Sequence, residues 1–142
     1  MEELRQLYNS LPTYDKLYKT EPVVEGTDYH IAVLSDEAYD TAKGLINYYR
    51  RVAGLGDITL SDDVNESAAY GALALAMNNS GLTHYPSQPK DMSSIDYNKA
   101  YAATTSSNLS SASGYLEKRI ISLAVSGQIG DSDSSNIGTL GH

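Results

Sequence analysis

The sequence predicts a domain of the α+β class, and three observations predict it. Helical spacing of apolar residues recurs in four stretches between residues 35 and 125, bounded by caps and glycines. Two apolar runs, Ile31-Ala32-Val33-Leu34 and Ile58-Thr59-Leu60, are too short for helices and suit strands or packed extended segments. The 142 residues are 41% hydrophobic and 20% charged, which fits one globular domain and excludes wholesale disorder.

Residues 1–34 read as an irregular N-terminal arm. Leu4, Leu7, Tyr8 and Leu11 have helical spacing that Pro12 ends, and Pro22 and Gly26 punctuate the rest of the arm. Residues 35–142 form the domain proper. Ser35 caps a helix whose first turn carries Asp36 and Glu37, favourable at the positive helix end. Ala42, Leu45, Ile46, Tyr49 and Val52-Ala53 form its buried stripe. Arg50 and Arg51 suit its last turn, and Gly54 stops it. Ser61 or Asp62 caps a second helix, with Val64, Ala68, Ala72, Leu75 and Ala76 on one small-residue face that permits close approach of a neighbour. It ends near Asn78-Asn79-Ser80-Gly81, and Pro86 and Pro89 enforce a loop. A third helix is expected over Ser93–Ala103, then a short strand or ordered loop at Ser107-Asn108-Leu109. A fourth helix runs from Tyr115 to Val125, with Leu116, Ile120, Leu123 and Ala124 on one face. Asp131–His142 reads as a polar loop, and no internal repeat is present.

Composition narrows the function classes. Ten basic residues face 18 acidic ones, a net charge of -8. Nucleic-acid and anionic-membrane affinity rest on clustered cations, so no nucleic-acid partner is expected. No apolar run approaches the ~20 residues of a membrane span. Met1-Glu2-Glu3-Leu4-Arg5 lacks a basic or apolar leader, so no signal peptide is expected within the sequence. Zero Cys removes disulfides, thiolate nucleophiles and Cys-ligated zinc together. With 12 Tyr and no Phe or Trp, every large ring carries a hydroxyl that needs a partner when buried.

Motifs of general chemistry are weak. His30, His84 and His142 are the three imidazoles, and none is four residues from another, so no helix-borne zinc pair exists. Asp131-Ser132-Asp133-Ser134-Ser135-Asn136 resembles the start of a calcium loop but lacks the glycine at position 6 and the glutamate at position 12. The serines lie in no nucleophile elbow, and there is no phosphate-cradling glycine loop.

A more specific signal lies from Asn47 onward. Asn47, Arg50, Gly54 and Leu55 fit N-x-x-R-x-x-x-G-L. Leu60-Ser61-Asp62-Asp63 leads into the Ala-rich stretch Ala68–Ala76. Leu82-Thr83-His84 follows, then Ala124-Val125, and Gly141-His142 closes the sequence. In this order the pieces resemble the CAP superfamily, or SCP domain, the family of cysteine-rich secretory, antigen-five and pathogenesis-related proteins. The wording is similar to its bacterial secreted branch.

The resemblance implies an α-β-α sandwich around a cavity lined by two His and two acidic residues. By that alignment His84 and His142 are the two imidazoles. Ser107, beside Asn108, stands where the family has Glu, and Asp131 stands at the second acid. Gln128 stands at a family Trp. With one carboxylate fewer, the set implies at most weak binding of zinc or another divalent cation through His84 and His142, and no carboxylate pair for acid–base work. The family's Gly-His opens a central strand with another after it. The sandwich is therefore expected to be incomplete at its C-terminal strands, and a chain of this extent to oligomerise or to belong to a longer parent.

The resemblance implies a secreted, extracellular binding or scaffold module whose partner is a protein, a lipid or a cell-wall ligand. Two alternatives stand beside it. One is a metal-assisted hydrolase or peptidase with Asp131 as its base. The other is a purely structural domain of a larger surface protein.

Overall fold

The computed structural model describes residues 2–112 and 117–130. It has a mixed α+β composition. In chain order the elements are α1 (Glu2–Asn9), β1 (Tyr18–Thr20), β2 (Val33–Leu34), α2 (Asp36–Val52), α3 (Asp62–Asn78), α4 (Ser94–Ser106), a 3-10 turn (Glu117–Arg119) and α5 (Ile120–Gly130). The described residues fall into two compact units. The first draws on residues 2–17, 35–59, 110–112 and 117–130, the second on Tyr18–Leu34 and Leu60–Leu109.

In the first unit α1 and α5 pack on α2. Ser35 caps α2 by accepting from the Ala38 amide at 3.1 Å. Tyr14, Leu17, Ala38, Leu45 and Ile121 are buried between these helices. The Tyr14 ring is 5% exposed, so its hydroxyl needs partners within the fold. It donates to the Glu117 carbonyl at 2.7 Å and accepts from the Ile121 amide at 3.3 Å, satisfying a donor at the start of α5. Tyr8, Tyr48 and Tyr49 form an edge-to-face series at 5.3 Å spacings.

The end of α2 explains part of the sequence motif. Gly54 has φ +74°, the left-handed conformation that a helix terminus needs and glycine adopts at least cost. The Leu55 amide then reaches back to the Arg50 carbonyl at 2.8 Å. Asn47, 8% exposed, pairs both faces of its amide with one backbone unit, donating to the Ile58 carbonyl and accepting from the Ile58 amide at 2.8 Å. Arg50 donates to the Gly56 carbonyl, and Arg51 grips Asp57 with two donors. Ile58-Thr59-Leu60 is therefore not a strand. A side chain of α2 supplies the partner that a neighbouring strand would otherwise give.

In the second unit α3 and α4 pack against each other. The expected α3 stripe is out of phase. Gly71, Leu73 and Ala74 are buried, whereas Val64, Ala68, Ala72 and Ala76 face outward. A Cβ on Gly71 would lie 3.3 Å from Thr104 Cγ2 and 3.4 Å from Ala103 Cβ, so the absent side chain is what lets α4 approach. Leu73, Ala74, Met92 and Ala100 make the core, with Tyr29, Ile31, Tyr70, Met77 and Tyr97 packed around it. β1 and β2 form an antiparallel pair with an irregular register, Tyr18 opposite Leu34 and Thr20 opposite Val33. This is the sheet of the described residues.

Two further boundaries differ from expectation. Ser107-Asn108-Leu109 forms no strand. The fourth helix begins at Ile120, after the 3-10 turn, and reaches Gly130. No helix among the described residues is long and apolar enough to cross a membrane.

Candidate functional site

The predicted site begins with His84. It lies in the loop after α3, where Asn79 and Gly81 both take left-handed backbone conformations, φ 47° and 80°. Thr83 accepts the Tyr85 amide on its hydroxyl at 3.1 Å, which tightens the turn around His84. His84 Nδ1 lies 2.6 Å from the carbonyl oxygen of Thr104. A carbonyl only accepts, so Nδ1 carries the proton, and in the neutral imidazole Nε2 carries the lone pair. Thr104 lies in the last turn of α4, whose final carbonyls have no partner within the helix. One contact thus satisfies an orphan acceptor and fixes the imidazole's tautomer. Backbone carbonyls orient metal- and ligand-binding histidines in the same way.

Ser107 is the residue that ends α4, in extended conformation and half-buried. It follows Thr104 by three positions, so His84 and Ser107 are attached to the same end of one helix. Asn108 comes next and is exposed. Asp131 and His142 lie outside the described residues, as does the acidic stretch 131–136. His30 stands apart from this end of α4. It is exposed, with Nδ1 3.2 Å from the Ile31 carbonyl and its backbone bridged to Val23.

A tetrahedral metal site needs about four donors. The described part of the expected set supplies one imidazole and one serine hydroxyl, which do not make such a site. Among the described residues, no group of three or more His, Asp or Glu side chains is placed to hold a cation.

The structure also assembles a polar cluster that sequence reading missed. Tyr29 donates to Asp96 Oδ2 at 2.7 Å and accepts the Ser93 amide at 2.8 Å. Ser93 caps α4 and donates to the same carboxylate oxygen at 2.9 Å. Burial works against ionisation of Asp96, but hydrogen bonding from Tyr29, Ser93 and Tyr70 outweighs it and holds the carboxyl below its ordinary value. Burial pushes the Tyr70 phenol up, and the Asp96 charge adds to the push. Lys99 pairs with Glu66 and sits 4.9 Å from the centre of the Tyr70 ring. Ser93-Ser94-Ile95-Asp96 at a helix start was the only local signal for this cluster.

A shallow cleft of about 300 Å³ lies elsewhere in the same unit, lined by Val24, Glu25, Gly26, Met77, Pro89, Lys90 and Asp91. None of His84, Ser107 and Asn108 lines it. No protein-family model, curated protein or solved structure matches the chain.

Proposed function

We propose that this chain is a CAP-type domain with the family's α-β-α sandwich, acting outside the cell as a secreted binding or scaffold module. Its ligand-facing group is His84. The observation that carries the reading is the 2.6 Å contact between His84 Nδ1 and the Thr104 carbonyl, which leaves Nε2 to face a ligand. The motif around α2 adds support, because Asn47, Arg50 and Gly54 each have a specific structural task at its end. In this reading His142 is the second imidazole, and Ser107, Asn108 and Asp131 complete the lining of the cavity. The single remaining carboxylate favours binding over hydrolysis.

Zinc calorimetry tests the pairing of the two imidazoles. The expected result is weak single-site binding that His84→Ala and His142→Ala each abolish. Peptide and ester turnover is expected to be absent with and without chelator. A purely structural role rests on the same contact, since His84 caps α4. It predicts no zinc heat and a change in stability alone for His84→Ala.

A further inference from the structure

We propose that the loop after α3 and the C-terminal half of α4 form a binding ledge for an uncharged glycan chain, with Tyr85 and Tyr101 as its stacking platforms. The inference deepens the extracellular-binding reading, on which it rests, by naming a class of ligand.

Two contacts hold the loop against α4 on either side of Tyr85. His84 Nδ1 meets the Thr104 carbonyl at 2.6 Å, and the Tyr97 hydroxyl donates to the Pro86 carbonyl at 2.8 Å. Residues 97, 101 and 104 share one face of the helix, and the two anchor points are about 10 Å apart along its axis. Tyr101 lies between them. Its ring packs against that of Tyr97 with centroids 5.8 Å apart. Tyr85 stays 74% exposed and Tyr101 39% exposed, although the backbone on both sides of Tyr85 is fixed. Exposed rings on anchored backbone lose little entropy when a ligand covers them.

The surroundings select the ligand. Residues 67–89 and 100–116 contain no Asp, Glu, Lys or Arg, in a chain carrying 28 such residues. The loop and the C-terminal half of α4 come from these two stretches. They offer hydroxyls and amides instead, among them Thr83, Ser87, Gln88, Thr105 and Asn108. A charged polymer would leave its charges without partners here. A pyranose chain with equatorial hydroxyls presents C–H faces to the rings and a hydroxyl rim to these polar groups. A proline-rich peptide also docks on aromatic surfaces, and the test below separates it from a glycan.

The test is an amide-resolved NMR titration with a hexamer of β-1,4-linked N-acetylglucosamine. The expected shifts map to residues 83–88 and 101–108. Tyr85→Ala and Tyr101→Ala should each weaken binding about tenfold, while Tyr85→Phe stays close to wild type, because the ring face and not the hydroxyl carries the contact. Added salt should leave the affinity unchanged, as expected for an uncharged ligand. The amide spectrum of each variant reports folding separately from binding. Three results would each overturn the proposal: no shifts at millimolar hexamer, wild-type binding by Tyr85→Ala, or shifts with a proline-rich decapeptide but not the saccharide. Failure here leaves the zinc response of His84 and His142 unaffected, so the two readings fail separately.

Discussion

Asn47 shows how much one side chain can organise. Its amide pairs with both polar groups of Ile58 and so holds the loop after α2 without a strand. Replacing it with Ala leaves two half-buried backbone groups without their side-chain partner and should cost about 1 kcal/mol in urea unfolding. Asn47→Asp keeps only an acceptor and should also destabilise, which separates pairing from size. Asp96 makes a second residue-scale prediction. Its folded carboxyl is held below the unfolded value of ~3.9, so its contribution is present above that pH and is lost as pH falls through the folded value. Tyr29→Phe removes one hydrogen bond to the carboxylate and should flatten the acid-side fall in stability below about pH 4. An unchanged acid slope in this variant would contradict the role given to Tyr29. The two residues differ in how readable they were. Asn47 and its partner are 11 positions apart, with the partner just past the motif that Asn47 opens, whereas Tyr29 and Asp96 are 67 apart and nothing local links them.

At the scale of elements, legibility tracked the contrast between polar and apolar residues. The start of α2 was readable because Ser35, Asp36 and Glu37 cap it, and its end because Gly54 has to take a positive φ. The buried face of α3 was not readable. From Ala68 to Met77 nearly every residue is small or apolar, so no polar face fixes the phase, and packing on α4 chose Gly71, Leu73 and Ala74. The expected onset of the fourth helix, Tyr115, lies outside the described residues; Glu117, which opens the 3-10 turn ahead of α5, is held by Tyr14 and Leu17, partners 103 and 100 positions away that leave no trace in local spacing. The close approach at Gly71 carries its own prediction. Gly71→Val would force a branched side chain against Thr104 and Ala103 and should cost about 2 kcal/mol or more through overpacking. Ala72→Val, one position on and exposed, should cost well under 1 kcal/mol. Equal effects at both positions in a thermal melt would show that α3 and α4 do not meet at Gly71.

For the whole molecule, composition was most informative about what it excluded. The net charge of -8 argued against nucleic acid, and the α+β class agrees with the observed elements. Eight of the twelve tyrosines fall into three kinds. Tyr14, Tyr29 and Tyr97 act as hydrogen-bonding core rings, Tyr8, Tyr48 and Tyr49 pack edge to face, and Tyr85 and Tyr101 remain at the surface. The candidate site was legible only as a set of residues. His84 could be singled out from Leu82-Thr83-His84, but its orienting partner is a backbone carbonyl, which no side-chain pattern reveals. Asp131 and His142 lie beyond the described residues, so the joining of the two halves of the site is the central claim to test. Long-range proton–nitrogen NMR of the imidazoles tests it most directly, read before and after zinc is added, with His30 as internal control. His84 is expected to carry its proton on Nδ1, and zinc is expected to shift the Nε2 signals of His84 and His142 together while His30 stays still. A His84 protonated on Nε2, or three imidazoles that respond alike or not at all, would contradict it.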